Sequence, residues 1–399
     1  MRFLSSGALV AGCLLAAACG DSPTSEGPTA TNMVQTGTLP GAKTAGSTLS
    51  PSVRLTNASG QPVAGARVEF EVAGGGGSIS TSSVTTNSNG VATLPTWTLG
   101  PGLVANTLVA RHASLPPVQL TVWGCATFCI DIRFVGTMTA AQHAAFVNAR
   151  QRWEQVITGD LPPVQFNVPA DPCKDQNGNV LVPTPSLNEV IDDLVIYVEA
   201  DSIDGAGKVL GSAGPCYIRS TSRLPVFGIM LFDDADLARM ENTGTLNDVI
   251  LHELGHVLGF PSIWSDSLFI TQKGALLIGE GSDDPYFTGT NAASRFQQAG
   301  GTLVNGEGVP IENTGDDGTR DSHWREAVLQ NELMTGFISA AGNPLSAITI
   351  GSLMDMGYQV DFGAADAFTV SSPGMIAGLR AEPGQMLIER PLAPPRIVH

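Results

Sequence analysis

The sequence predicts a multidomain chain, an all-β sandwich followed by an α/β domain. Three observations lead there. Short alternating runs punctuated by turn residues fill positions 33–123. Strand-like apolar runs interleaved with helical periodicities occupy 124–370. A polar stretch rich in Ser, Pro, Thr and Gly separates the first part from an apolar leader.

The leader, residues 1–18, carries Arg2 and then an apolar run ending Leu14-Leu15-Ala16-Ala17-Ala18. It is too short for a comfortable membrane span and ends in small residues, which predicts an export signal. Cys19 follows three alanines and precedes Gly20-Asp21-Ser22, which resembles a bacterial lipoprotein processing site. Ala16 departs from that pattern, where leucine is commoner. The rival Val10-Ala11-Gly12-Cys13 cuts the apolar run too short. The resemblance implies an acylated Cys19 and an exported protein anchored at the cell envelope or surface, each buried methylene contributing about 0.8 kcal/mol. Residues 19–32 then act as a flexible tether. The net charge of −17 argues against nucleic acid or anionic headgroups as partners and predicts a soluble, self-repelling monomer.

In 33–123, Val68, Phe70 and Val72 alternate with Arg67, Glu69 and Glu71, as a half-buried strand does. Turn clusters at Asn57–Gly60, Gly74–Gly77, Asn87–Gly90 and Gly100–Gly102 divide about 90 residues into the short strands of a sandwich. The stretches Gln61–Phe70, Asn89–Ala92 and Trp97–Gly100 resemble bacterial Ig-like domains of the invasin and intimin type. That resemblance implies a spacer, with adhesion as the competing role.

From residue 124 the elements alternate. Ile130–Val135 reads as a strand. Thr139 and Gln142 open a helix with Phe146, Ala149, Trp153 and Ile157 on one face. Leu194–Val198 and Val226–Phe232 read as strands, Ile348–Met356 as a closing helix, and 260–322 as a loop-rich lower half. No pattern is evident in the tail, 371–399. Four cysteines remain after the leader. In an oxidising compartment they favour the pairs Cys125–Cys129 and Cys173–Cys216 over a four-cysteine zinc site, whose spacing they lack.

His252-Glu253-Leu254-Gly255-His256 carries the chemistry. Leu246, Val249, Ile250, Leu254, Val257 and Leu258 form an apolar helical stripe. Thr245 with Asp248 makes an N-terminal capping pattern, and Gly259 and Pro261 end the helix. Residues four apart share a helix face, so His252 and His256 can grip one Zn²⁺ ion while Glu253 reaches a water as general base. A catalytic zinc takes three protein ligands. Among six histidines, His112 falls in the β part, His143 on the first helix and His399 at the last position, which leaves His323. A glutamate ligand, Glu332 on a helix, is the alternative. Gly259 favours histidine, since it lets the chain turn back beneath the metal. Met334 sits 11 residues beyond His323, and its placement resembles the methionine turn that metzincins carry beneath the metal.

His252–Phe260, the distant His323-Trp324 and Glu332-Leu333-Met334-Thr335 together resemble the leishmanolysin family of metzincin metallopeptidases, over about residues 125–365. In that family an insertion separates the second ligand from the third. The shorter metzincin spacing fails here, because Pro261-Ser262-Ile263 holds no histidine. The resemblance implies a zincin fold and a zinc endopeptidase acting on extended polypeptide. It also implies that Val226–Phe232 is the edge strand along which substrate pairs. The chain departs from the family's founding members in having fewer cysteines and an Ig-like module where a propeptide would stand. Asp321 or Glu326 is expected to orient a ligand histidine. Asp233, Asp234, Asp236, Asp316, Asp317 and Asp321 invite a Ca²⁺ reading but lack a loop spacing for it, so a solvated face is expected. The competing function is an adhesion protein with an incidental zincin part.

Overall fold

The computed structural model describes residues 29–207, 209–264, 275–315, 318–338, 342–370, 385–387 and 392–398. The leader with Cys19, Asp316, Asp317, His399 and most of the tail lie outside the described residues.

Up to Cys125 every regular element is a strand. Asn32–Thr36, Ser52–Thr56 and Val91–Thr93 form a three-stranded sheet. Ala42–Thr44, Val118–Cys125, Val104–Arg111, Arg67–Gly74 and Ser83–Thr85 form a five-stranded one, in that order. Alternation drives the packing: Val68 and Phe70 are buried while Arg67, Glu69 and Glu71 face water. Val53 and Leu55 from one sheet meet Val68, Phe70, Leu108 and Leu120 from the other, with Trp97 between, in a single apolar core. That is the layering of a β-sandwich.

Beyond Cys125 lies a five-stranded mixed sheet in the order Ile130–Val135, Leu194–Asp201, Pro225–Asp233, Gly211–Arg219, Arg396–Val398. The first three run parallel. Gly211–Arg219 is antiparallel to Pro225–Asp233 and parallel to Arg396–Val398. Helix α1 (Ala140–Val156) begins with a full capping box between Thr139 and Gln142. It is joined by α2 (Asp234–Thr243) and α3 (Leu246–Val257). The Trp153 indole N–H donates to the Leu251 carbonyl at 2.9 Å, tying α1 to α3. Disulfides join Cys125 to Cys129 and Cys173 to Cys216. Among the described residues no helix is long and apolar enough to cross a membrane.

Three expectations are corrected. Val226–Phe232 is interior to the sheet, not at its edge. Its side chains feed two cores, Phe227, Ile229 and Leu231 into one and Met230 and Phe232 into the other. A run that is apolar on both faces belongs to a central strand. The strand outside it, Gly211–Arg219, was concealed by two glycines and Pro215, residues that read as loop. Nor is the tail patternless, since residues 396–398 complete this sheet. Finally, Thr245 makes no side-chain cap on α3. Its backbone follows the left-handed Gly244 in a helical conformation, and the Asp248 carboxylate instead accepts from the Gly342 and Asn343 amides.

The lower half holds more order than a loop-rich reading allows. Helix α4 (Thr290–Gln298) and α6 (Ala347–Met356) are joined where the Asp355 carboxylate accepts from the Asn291 and Ala292 amides. Between them in sequence comes the short α5 (Glu326–Leu329). Trp324 is fully buried among Phe260, Trp264 and Phe287, and its indole N–H donates to Thr349 Oγ1 at 2.8 Å. This aromatic cluster fixes the backbone next to His323.

Candidate metal centre

Helix α3 is apolar around most of its circumference, so even its polar residues His252, Glu253 and His256 are buried. A second constraint is Gly255. A Cβ there would lie 2.8 Å from Met334 Sδ and 3.3 Å from the Trp153 ring. The missing side chain lets Met334 come directly against the helix between the two histidines. Gly259 then adopts φ +109°, a region that glycine tolerates best. The chain folds back so that the Phe260 carbonyl accepts from His256 Nδ1.

His323 arrives from 67 residues beyond His256. Its Nδ1 bonds the Thr319 carbonyl at 3.1 Å, and its own carbonyl accepts from the Glu312 amide at 2.8 Å. His252 Nδ1 donates to the Leu333 carbonyl at 2.6 Å. The three Nε2 atoms converge, with separations of 2.9 Å for 256–252, 3.1 Å for 252–323 and 3.2 Å for 256–323.

The tautomers follow from these partners. A carbonyl oxygen can only accept, so each Nδ1 carries a proton, and in the neutral ring that binds a metal each Nε2 presents a lone pair. Three lone pairs aimed at one point repel unless a cation stands between them. Three neutral imidazoles with their other nitrogens fixed by hydrogen bonds are a donor set suited to zinc. Tetrahedral Zn–N bonds of about 2.0–2.1 Å would set the nitrogens about 3.3–3.4 Å apart, a small expansion of the spacing seen. The group His252, His256 and His323 therefore fits a metal ion.

The other proposed residues are placed differently. Glu332 lies in a turn, not on a helix, and is buried with its carboxylate facing four donors: the Met334 and Ser346 amides and the Ser346 and Thr349 hydroxyls. Burial pushes its carboxyl pKa up, against the pull of those donors. It is thus engaged away from the histidine nitrogens. Neither Asp321 nor Glu326 holds His323, whose Nδ1 goes to Thr319 instead. The Asp321 carboxylate accepts from the Gly281 amide, and burial pushes Glu326 up to about 7. Asp234 is exposed, but Asp233 is not part of a solvated face. It is buried and accepts from the Ile203, Asp204 and Gly205 amides, which hold its pKa down despite burial. Asp236 accepts from Gly207 and Arg239. His143 is half-buried with its ring against Phe134, and His112 bonds the Arg67 carbonyl in the sandwich.

What sequence reasoning missed is the layer behind the imidazoles. Three backbone carbonyls, of Leu333, Phe260 and Thr319, orient all three rings, and a carbonyl leaves no mark in residue identity.

The family model for leishmanolysin peptidases matches residues 166–373, more than half of the chain, and the chain belongs to that family. Leishmanolysin of Leishmania major is 28% identical over 201 residues, covering 49% of this chain and 32% of that protein. The ciliated left-right organizer metallopeptidase of Xenopus laevis is 30% identical over 183 residues, covering 42% of this chain and 25% of that one. The chain thus spans between a quarter and a third of the length of these relatives. Among solved structures, the D00-D0 domain of intimin aligns at a TM-score of 0.21 and 19% identity, over 24% of this chain and 46% of that one.

Proposed function

We propose that the protein is an exported zinc endopeptidase of metzincin type, held at a membrane by a lipid on Cys19. In this reading residues 124–370 form the catalytic domain and the sandwich of 33–123 an Ig-like spacer. The observation that carries the catalytic reading is the convergence of the His252, His256 and His323 Nε2 atoms with Glu253 buried beside them on α3. Membership of a peptidase family supports it.

Zinc held by those nitrogens supplies a Lewis acid that polarises a peptide carbonyl and lowers the pKa of water to about 7. The chain does the rest. Each ring is held by its Nδ1 bond, so the donor nitrogens need only a small expansion of their spacing. Glu253 takes a proton from the attacking water and passes it to the leaving amine, and its burial strengthens that exchange by excluding bulk solvent. Met334 supports the helix from behind, against Gly255. Extended substrate pairs along the outer strand Gly211–Arg219 rather than the interior strand first expected. Among the described residues, Arg396–Val398 covers the outer edge of that strand only from Tyr217 to Arg219.

Two measurements test this. Metal analysis and a peptide-library digest of wild type and Glu253→Ala, with and without chelator, should give bound zinc in both proteins and cleavage only in zinc-loaded wild type. Hydrolysis should fall about 10²–10⁴-fold in the variant, and undiminished cleavage there would remove Glu253 from the mechanism. For the anchor, Cys19→Ala should move the protein from the detergent phase to the aqueous phase. A variant that still partitions with detergent would exclude acylation at this position.

A further inference from the structure

We propose that Glu332 is a positioning residue of the metal centre, acting on His252 through the intervening Leu333–Met334 peptide group. The inference rests on reading the three histidines as metal ligands.

Glu332 is completely buried, and burying a carboxylate is costly without compensation. Its four donors are all neutral. Oε1 accepts from the Ser346 amide (3.1 Å), Ser346 Oγ (2.7 Å) and Thr349 Oγ1 (2.6 Å). Oε2 accepts from the Met334 amide at 2.7 Å. Capping α6 does not require this arrangement, because Ser346 Oγ already accepts from the Ile348 amide as the helix N-cap. The cap needs no acid, and a carboxylate placed here calls for another reason.

The Oε2 bond supplies it. The Met334 N–H and the Leu333 C=O belong to one planar peptide group and point in opposite directions. Gripping the N–H from one side aims the carbonyl at the other, where it accepts from His252 Nδ1 at 2.6 Å. The result is a chain of carboxylate, peptide group, imidazole and metal position. It is the carboxylate–histidine pairing common at zinc sites with one peptide group inserted. An acceptor on the N–H also polarises the peptide, making its carbonyl a stronger acceptor and the imidazole a better donor to metal.

The same carboxylate reaches the third histidine by two further links. Thr349 Oγ1 donates to Glu332 and accepts from the Trp324 indole at 2.8 Å. The Trp324 amide donates to the Met334 carbonyl at 3.0 Å. Trp324 adjoins His323, so one buried acid braces both the carbonyl that holds the His252 ring and the backbone next to His323.

The test uses the full chain. Zinc affinity is measured by competition with a chromogenic chelator, and ligand geometry by the visible spectrum of the cobalt-substituted protein. Glu332→Gln keeps the shape but replaces one accepting oxygen with an amide N–H₂ that can only donate. It should weaken zinc binding by about 10–100-fold and shift the cobalt spectrum, with circular dichroism unchanged. Ser346→Ala, which removes a cap and one donor, should lower Tm with a much smaller change in affinity. Glu332→Asp retains both accepting oxygens at shorter reach and should fall between wild type and Glu332→Gln. A lowered Tm with wild-type affinity and cobalt spectrum in Glu332→Gln would reduce Glu332 to a structural acid and overturn the proposal. If that variant does not fold, wild-type values in Glu332→Asp would do the same. A wild-type chain that binds no zinc refutes the peptidase reading itself, a separate outcome.

Discussion

The sandwich and the metal-bearing half bury polar groups in opposite ways. In the sandwich the buried polar side chains are Thr86 and Asn106, both neutral, bonded to the Val63 carbonyl and the Gly100 amide. Beyond Cys125 the buried set includes Glu154, Asp193, Asp233, His252, Glu253, His256, Glu312, His323 and Glu332. Each ionisable group withdrawn from water carries a desolvation cost that an apolar core avoids. The sandwich core avoids that cost. The second half retains such groups in several separate places, and three of them, His252, His256 and His323, converge on one point.

The sharpest way to break that contrast is His323→Ala. It should release zinc at chelator concentrations that leave wild type loaded and abolish peptide cleavage, while the sandwich stays folded. Dialysis followed by metal analysis decides it, and full retention of zinc would move the third ligand elsewhere. The converse experiment is Leu108→Ala in the sandwich core, which should cost about 2–5 kcal/mol of stability yet leave kcat/KM unchanged. Denaturant titration and a peptide assay on the same sample check both halves of that statement.

A smaller effect arises where the two regions meet. Burial pushes Glu154 up from its ordinary 4.5 to about 7, against the Ile130 amide, the Arg150 guanidinium and the Trp123 indole that favour its charge. The folded chain therefore keeps this proton up to about pH 7, whereas the unfolded chain releases it near 4.5. Stability from this group is complete below the lower value and is lost as pH rises through the upper one. Thermal melts should show Tm falling between about pH 5 and 8, and Glu154→Gln should flatten that slope. An identical slope in the variant would assign the dependence to other groups.

Much of the architecture was legible because side-chain chemistry encodes it. The i, i+4 histidines declared their helix, alternation at 67–71 declared a strand, and Thr139 with Gln142 declared a cap. His323 was legible because so few histidines competed. What stayed hidden depends on backbone or tertiary context. Gly211–Arg219 pairs through main-chain groups despite residues that usually break strands. Asp248 looked like a cap because the 342–343 loop that claims it lies 94 residues away. The choice between edge and centre for Pro225–Asp233 turned on a second apolar layer whose pieces, Phe166 and Tyr217, lie in other segments.

The Arg396–Val398 strand has a kinetic consequence. Its contact with Tyr217 spans 179 residues, and the approach of His323 to His252 spans 71. The entropy of closing a loop grows with the logarithm of its length, and chains rich in such distant pairings fold slowly. The three parallel strands and helix α1 can gather once the chain has reached Asp233, before residues 323 and 396–398 are present. The sheet margin and the histidine cluster each wait on a partner that comes late in the chain.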